Sequence, residues 1–220
     1  MKVEKQYDSG ALAKNYADKS KGNESLDLGR IFLREQIQNI DIKSVIVDVG
    51  CGDGIDLIAY REMGFTNISG VDPSEKLLER ARKSLGEDVS LKIGTFSNLP
   101  LADSSVDLVI SRHALHYSND IRGSLKEVAR VLKTGGKLMI VMSHPMTDSL
   151  DPKDEFGNIT ITLFNGTVPI TFPQHTLSEI FSPSFLSDFH LDKIHEYVGN
   201  ERDTKYPSIP SALCFIATRI

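Results

Sequence analysis

The stretch that most constrains this chain is residues 45–54, VIVDVGCGDG, where a short apolar run meets an acid and then three glycines at every second position. Val45, Val47 and Val49 alternate around Ile46, and a run that is apolar on both faces is what a buried parallel strand requires. Gly50, Gly52 and Gly54 permit a tight turn and let a ligand approach the backbone with no Cβ in the way. Residues 55–61 have helical composition, so the unit is predicted as strand, glycine loop, helix. Such a unit offers its ligand the N–H groups of a helix start, which lack partners within the helix.

A nucleotide-type cofactor is expected there, and the residues discriminate among kinds. Dinucleotide-binding loops space their glycines G-x-G-x-x-G so that a pyrophosphate can rest on the helix start; here the spacing is G-x-G-x-G. Asp48 and Asp53 flank the loop, and two carboxylates would repel a pyrophosphate at short range. S-adenosylmethionine carries a sulfonium, an ammonium and one carboxylate but no phosphate, and so suits donors placed beside acids. The stretch resembles the first signature of class I S-adenosylmethionine-dependent methyltransferases, an acid two residues before G-x-G-x-G, in the type 11, small-molecule style. What that resemblance implies is an α/β, Rossmann-like doubly wound fold with a seven-stranded, mostly parallel sheet and an antiparallel last strand. Asp48, Gly50, Cys51 and Gly52 become candidate cofactor contacts.

Length and charge bound the rest. The 220 residues suffice for one domain with a full core, subdivided in expectation into a helical cap (1–40), a cofactor-binding core (41–145), a substrate lid (146–183) and C-terminal strands (184–220). The net charge of -5, with no basic run, argues against a nucleic-acid partner. Cys51 and Cys214 form no C-x-x-C pair, so neither a zinc site nor a disulfide framework is indicated, and no metal is expected. No apolar run approaches the ~20 residues of a membrane span, and the first residues lack a signal-peptide core; a cytoplasmic protein, monomer or homodimer, is expected.

Ahead of the loop, residues 9–19 and 28–38 are predicted helices. The segment YDSGALAKNY, with Tyr7 and Tyr16, resembles the N-terminal segment of small-molecule methyltransferases, where such tyrosines cover the cofactor; core packing is the plainer alternative for Tyr16. After the loop, a strand at 68–71 ends in Asp72, about 20 residues beyond Gly50, where a carboxylate can accept both ribose hydroxyls. Asp72 also suits a helix cap, with Pro73 and Ser74 before an apolar helical stripe. A third strand is expected at 89–93. Where the family often places an acid two residues later, this chain has Gly94 and Thr95, so the adenine contact shifts toward the backbone of Thr95 and Phe96, with Phe96 or Leu99 against the ring.

The fourth strand, 106–110, runs into SRHALHYSND, at the carboxyl end of a central strand, where open α/β sheets place their ligands. Ser111 and Arg112 are candidate cofactor contacts there, and His113 and His116 candidate catalytic groups. A helix from Ile121, a Gly135-Gly136 turn and a fifth strand to Val141 match the family's phrase EVARVLKTGGKLMIV. His144 follows in MSHPMT at the next strand end. Strands at 159–164 and 168–172 around Asn165-Gly166 form a predicted hairpin, the substrate lid, and His175 precedes a helix started by a capping box of Thr176 and Glu179. Final strands at 189–197 and 212–217 would pair as an antiparallel edge.

The resemblance implies methyl transfer to an oxygen or nitrogen of a small molecule. A methyltransferase acting on tRNA or protein, a nicotinamide-dependent oxidoreductase and a non-catalytic cofactor-binding protein are the alternatives. A histidine base is wanted only for an amine or neutral hydroxyl acceptor, for which His116, His113, His144 and His175 are the candidates.

Overall fold

A computed structural model describes residues 27–163, 168–198 and 208–220. Tyr7, Tyr16, the first predicted helix, the Asn165-Gly166 turn and most of the polar loop before the last strand lie outside them. Helix α1 (Leu28–Ile37) starts at Asp27, whose side chain accepts from Arg30 N. The core then alternates strand and helix: β1 (Ile46–Val49), α2 (Ile55–Glu62), β2 (Ile68–Asp72), α3 (Glu75–Leu85), β3 (Ser90–Ile93), β4 (Val106–Arg112), a 3-10 turn (Leu115–Tyr117), α4 (Ile121–Val131) and β5 (Leu132–Ser143). Beyond it come α5 (Pro145–Asp148), the hairpin β6 (Asn158–Leu163) and β7 (Val168–Pro173), α6 (Leu177–Ile180), α7 (Pro183–Asp188), β8 (Phe189–Val198) and β9 (Pro210–Arg219).

Seven strands form one sheet in the order β3-β2-β1-β4-β5-β9-β8. β1 pairs in parallel with β2 on one side and β4 on the other, so the chain reverses its direction of winding beside the glycine loop. That crevice is where open α/β sheets hold ligands. One apolar layer, built on Val47, Val109 and Ile140, packs under α4 and α7; the other, built on Ile46, Leu108 and Ile110, packs under α1, α2 and α3. Burial on both faces explains why these strands read as continuous apolar runs.

Three elements differ in detail from their predicted form. The last two strands do make the edge, but β9 lies inside it, antiparallel to both β5 and β8. Gly135 and Gly136 do not separate helix from strand: β5 begins at Leu132, and the glycines sit in a bulge between its pairings with Val106 and Leu108. Gly135 takes φ +79 there, a conformation glycine adopts without strain. The capping box at Thr176 and Glu179 forms as predicted, yet the helix it starts is only Leu177–Ile180, and Ser182 with Pro183 starts the next.

The hairpin pairs Ile159 with Phe172 and Ile161 with Ile170. Ile159, Ile170 and Phe172 are fully buried, whereas the Thr160 and Thr171 hydroxyls meet on the outer face at 2.9 Å. The period of two thus gives the hairpin one apolar face that rests on the body of the protein.

Candidate active site

The carboxyl ends of β1, β2 and β4 open into a cleft whose roughly 680 Å³ of empty space includes open solvent. Gly50, Gly52 and Gly54 all take positive φ, at 82°, 55° and 80°. A Cβ on Gly50 would stand 2.1 Å from the Ala114 Cβ, so the turn fits against the 3-10 segment only without a side chain.

Within the loop itself, ahead of the helix start, the N–H groups are taken up by the protein. Gly50 N and Cys51 N donate to Val71 O at 2.7 and 3.2 Å, and Gly54 N donates to Cys51 O at 3.0 Å. Gly52 N donates to Asp72 Oδ2 at 2.9 Å. Four N–H groups that could have cradled a phosphate are committed to protein acceptors, three of them on β2. The loop is an anchored turn beside acids.

Asp72 forms part of the cleft wall. Its second oxygen accepts from Ser74 N at 2.8 Å, while the Ser74 side chain caps α3 by accepting from Leu77 N. Two backbone donors therefore aim the carboxylate. Pro73, Thr95, Phe96 and Arg112, candidate cofactor contacts from the sequence, also line the cleft, joined by Leu77 and Tyr117, which were not among those candidates.

Asp48, Cys51 and Ser111 do not reach the wall. All three are buried behind it, Cys51 packing near Gly70 and Ser111 holding its hydroxyl inside the sheet with no hydrogen-bond partner among the described residues. No described group donates a hydrogen bond to Asp48. Burial pushes its carboxyl well above the usual carboxylate range, and Asp56 and Asp72 push the same way while Arg112 and Arg30 pull it down. A buried acid in want of a cation is complementary to a positively charged ligand above it.

The four candidate histidines divide. His113 lines the cleft in a left-handed conformation, φ +53, which for a residue with a Cβ is strained and clusters at functional sites. His116 is buried one step behind, its ring 4.3 Å from Tyr117, 4.9 Å from Phe172 and 6.3 Å from His113. His175 borders a neighbouring cavity with Asp120, Arg122 and Glu179. Burial lowers its pKa, opposed by Glu179 and by hydrogen bonds to the backbone of Ser118 and His116. His144 stands apart: its Nδ1 accepts from Met146 N at 3.1 Å, so Nε2 carries the proton toward Glu196 Oε1 at 2.7 Å. Fully buried, it caps α5 and ties β5 to β8 instead of facing the cleft.

The comparisons agree with this geometry. Residues 47–140 match the family described as Methyltransferase domain. Those residues form a methyltransferase domain, similar to S-adenosylmethionine-dependent methyltransferases. The uncharacterized methyltransferase YcgJ of Bacillus subtilis is 30% identical over 150 residues, covering 66% of this chain and 57% of that protein; the chain spans smaller shares still of the next curated relatives. A solved S-adenosylmethionine-dependent methyltransferase from Mesorhizobium loti shares the fold at TM-score 0.69 and 23% identity, over 88% of this chain and all of that one. The [4+2]-cyclase SpnF does so at TM-score 0.69 and 15% identity, over 98% and 95%. Methyltransferase architecture thus supports more than one chemistry, and the site must carry the argument for function.

Proposed function

We propose that the protein transfers the methyl group of S-adenosylmethionine to an oxygen or nitrogen of a small molecule. The carrying observation is the glycine loop with its N–H groups turned into the protein and Asp48 and Asp72 presented beneath and beside the cleft. That arrangement is hostile to a pyrophosphate and fits a cationic nucleoside without one. Asp72 would hold the ribose hydroxyls; Phe96 and Leu77 would pack on the adenine, with Thr95 at its edge. S-adenosylmethionine supplies an activated methyl group when bound, and the residues around it align the acceptor and exclude water.

Alignment alone accounts for much of the rate. Holding two reactants in line can contribute roughly 7–11 kcal/mol. A carboxylate or phenolate acceptor needs no base. For an amine or neutral hydroxyl, His113 is the group on the wall able to take the proton, with His116 behind it. The hairpin, docked through Phe172 onto His116 and Tyr117 at 4.9 and 5.4 Å, would close the acceptor end. No helix among the described residues is long and apolar enough to cross a membrane, and the acidic balance speaks for a metabolite over a nucleic acid.

The test is incubation with methyl-labelled S-adenosylmethionine and three acceptor pools. Label entering the metabolite extract supports the reading. Label entering only total RNA or cell protein, or none entering any pool, overturns it.

A further inference from the structure

A largely buried ring of charges joins α1 to the start of α2 and the end of β4. Gly29 lets α1 lie hard against the sheet, since a Cβ there would stand 2.6 Å from Val141 Cγ1. The approach carries Arg30 below the surface, at 3% exposure, where its Nε donates to Asp56 Oδ1 at 2.8 Å. Asp56, in the first turn of α2, accepts with its other oxygen from Arg112 Nε at 2.9 Å. Arg112 Nη1 donates to Asp27 Oδ2 at 2.9 Å, and Asp27 closes the ring by accepting from Arg30 N at 3.1 Å. Arg112 is the member that also forms the cleft wall.

Such a ring is a poor way to stabilise a fold, because desolvating the ions offsets most of their attraction. Arg30 Nη2 is even buried without a hydrogen-bond partner among the described residues. A helix needed only to cover the sheet would do better with an apolar residue at this position. We propose that Arg30 is a positioning residue for the cofactor: through Asp56 it fixes the Arg112 guanidinium on the cleft wall and sets a second cation beside Asp48, making α1 a working part of the site. The inference rests on the cleft being the S-adenosylmethionine site.

Its consequence is electrostatic. The charged groups around Asp48 are Asp56 on α2, Arg112 on β4, Asp72 on β2 and Arg30 on α1, with the Cys51 thiol and the Tyr60 phenol also facing it. Without Arg30, Asp48 faces two acids and one cation, so it stays protonated to higher pH. A neutral Asp48 attracts the cofactor's positive charge less.

The experiment is calorimetric titration of S-adenosylmethionine into the unaltered protein, Arg30→Met and Arg30→Lys, repeated from neutral to alkaline pH. Arg30→Met is expected to bind about tenfold more weakly at neutral pH and to recover as pH rises. Arg30→Lys, whose ammonium still reaches a carboxylate as a point charge, stays within about threefold. A folded Arg30→Met with unchanged affinity and pH profile, losing only melting temperature, overturns the proposal. Should Arg30→Met not fold, Asp27→Asn loosens the same ring from its more exposed corner, at 24% side-chain exposure; unchanged affinity there overturns it equally. No uptake by the unaltered protein overturns the assignment of the cleft itself.

Discussion

The glycine-loop end of the cleft, the proposed donor end, and the hairpin end, the proposed acceptor end, are held by different forces. At the donor end the backbone decides: glycines at positive φ, N–H groups bonded to Val71 and Asp72, and a parallel register that sets β1 beside β2 and β4. At the acceptor end side chains decide: Phe172 against His116 and Tyr117, and His175 hydrogen-bonded to backbone of the 3-10 segment. Backbone constraints tolerate few residue types, so the donor end is recognisable from a short motif. A packed hairpin face tolerates many apolar solutions, so it leaves no comparable short motif.

The widest separation of the two ends should come from Phe172→Ala. Deleting a fully buried aromatic ring costs about 3–5 kcal/mol, and here that loss falls on the docking of the hairpin. Hydrogen exchange should show β6 and β7 losing protection, while calorimetry with S-adenosylmethionine stays within about twofold. A parallel collapse of cofactor affinity would mean that the two ends are one unit.

Gly50→Ala probes the other side. A side chain at φ +82, 2.1 Å from the Ala114 Cβ, should cost at least about 2 kcal/mol and abolish measurable cofactor uptake with the hairpin still protected. Asp72→Ala comes next, weakening the cofactor by roughly 1–3 kcal/mol through lost charge-assisted hydrogen bonds. Unchanged affinity would remove Asp72 from the site.

How much of this was legible in the sequence follows the same division. The loop, Asp72, the core strands and the hairpin alternation were readable because each is a local pattern. That the loop's N–H groups turn inward was not, because it depends on the register of β1 against β2. The ring of Arg30, Asp56 and Arg112 joins residues far apart in sequence, and its only local trace is a charge inside apolar helical stretches, LGRIFL and IDLIAY. Asp48 and Cys51 belong to the motif, but the motif alone does not show that they are buried behind the cleft wall and do not line it. His144 looked like a substrate contact because it ends a strand; the proline after it made it a helix cap.

The smallest expected effect concerns pH. His175 is held neutral by burial, with its folded pKa below the ordinary 6.5. The unfolded chain therefore binds the proton more readily, and stability present above the ordinary histidine range is lost as pH falls through it toward the lowered value. Denaturation of the protein and of His175→Asn across that range should show a shallower loss in the variant, and identical curves would remove His175 from the acid response.

The most direct test of the account is a paired titration, with S-adenosylmethionine and the reduced nicotinamide dinucleotide offered separately to the same protein by calorimetry. An acid-flanked turn with its donors facing inward should take up the sulfonium compound and show no heat with the dinucleotide. Saturable binding of the dinucleotide, with none of S-adenosylmethionine at millimolar excess, would contradict it.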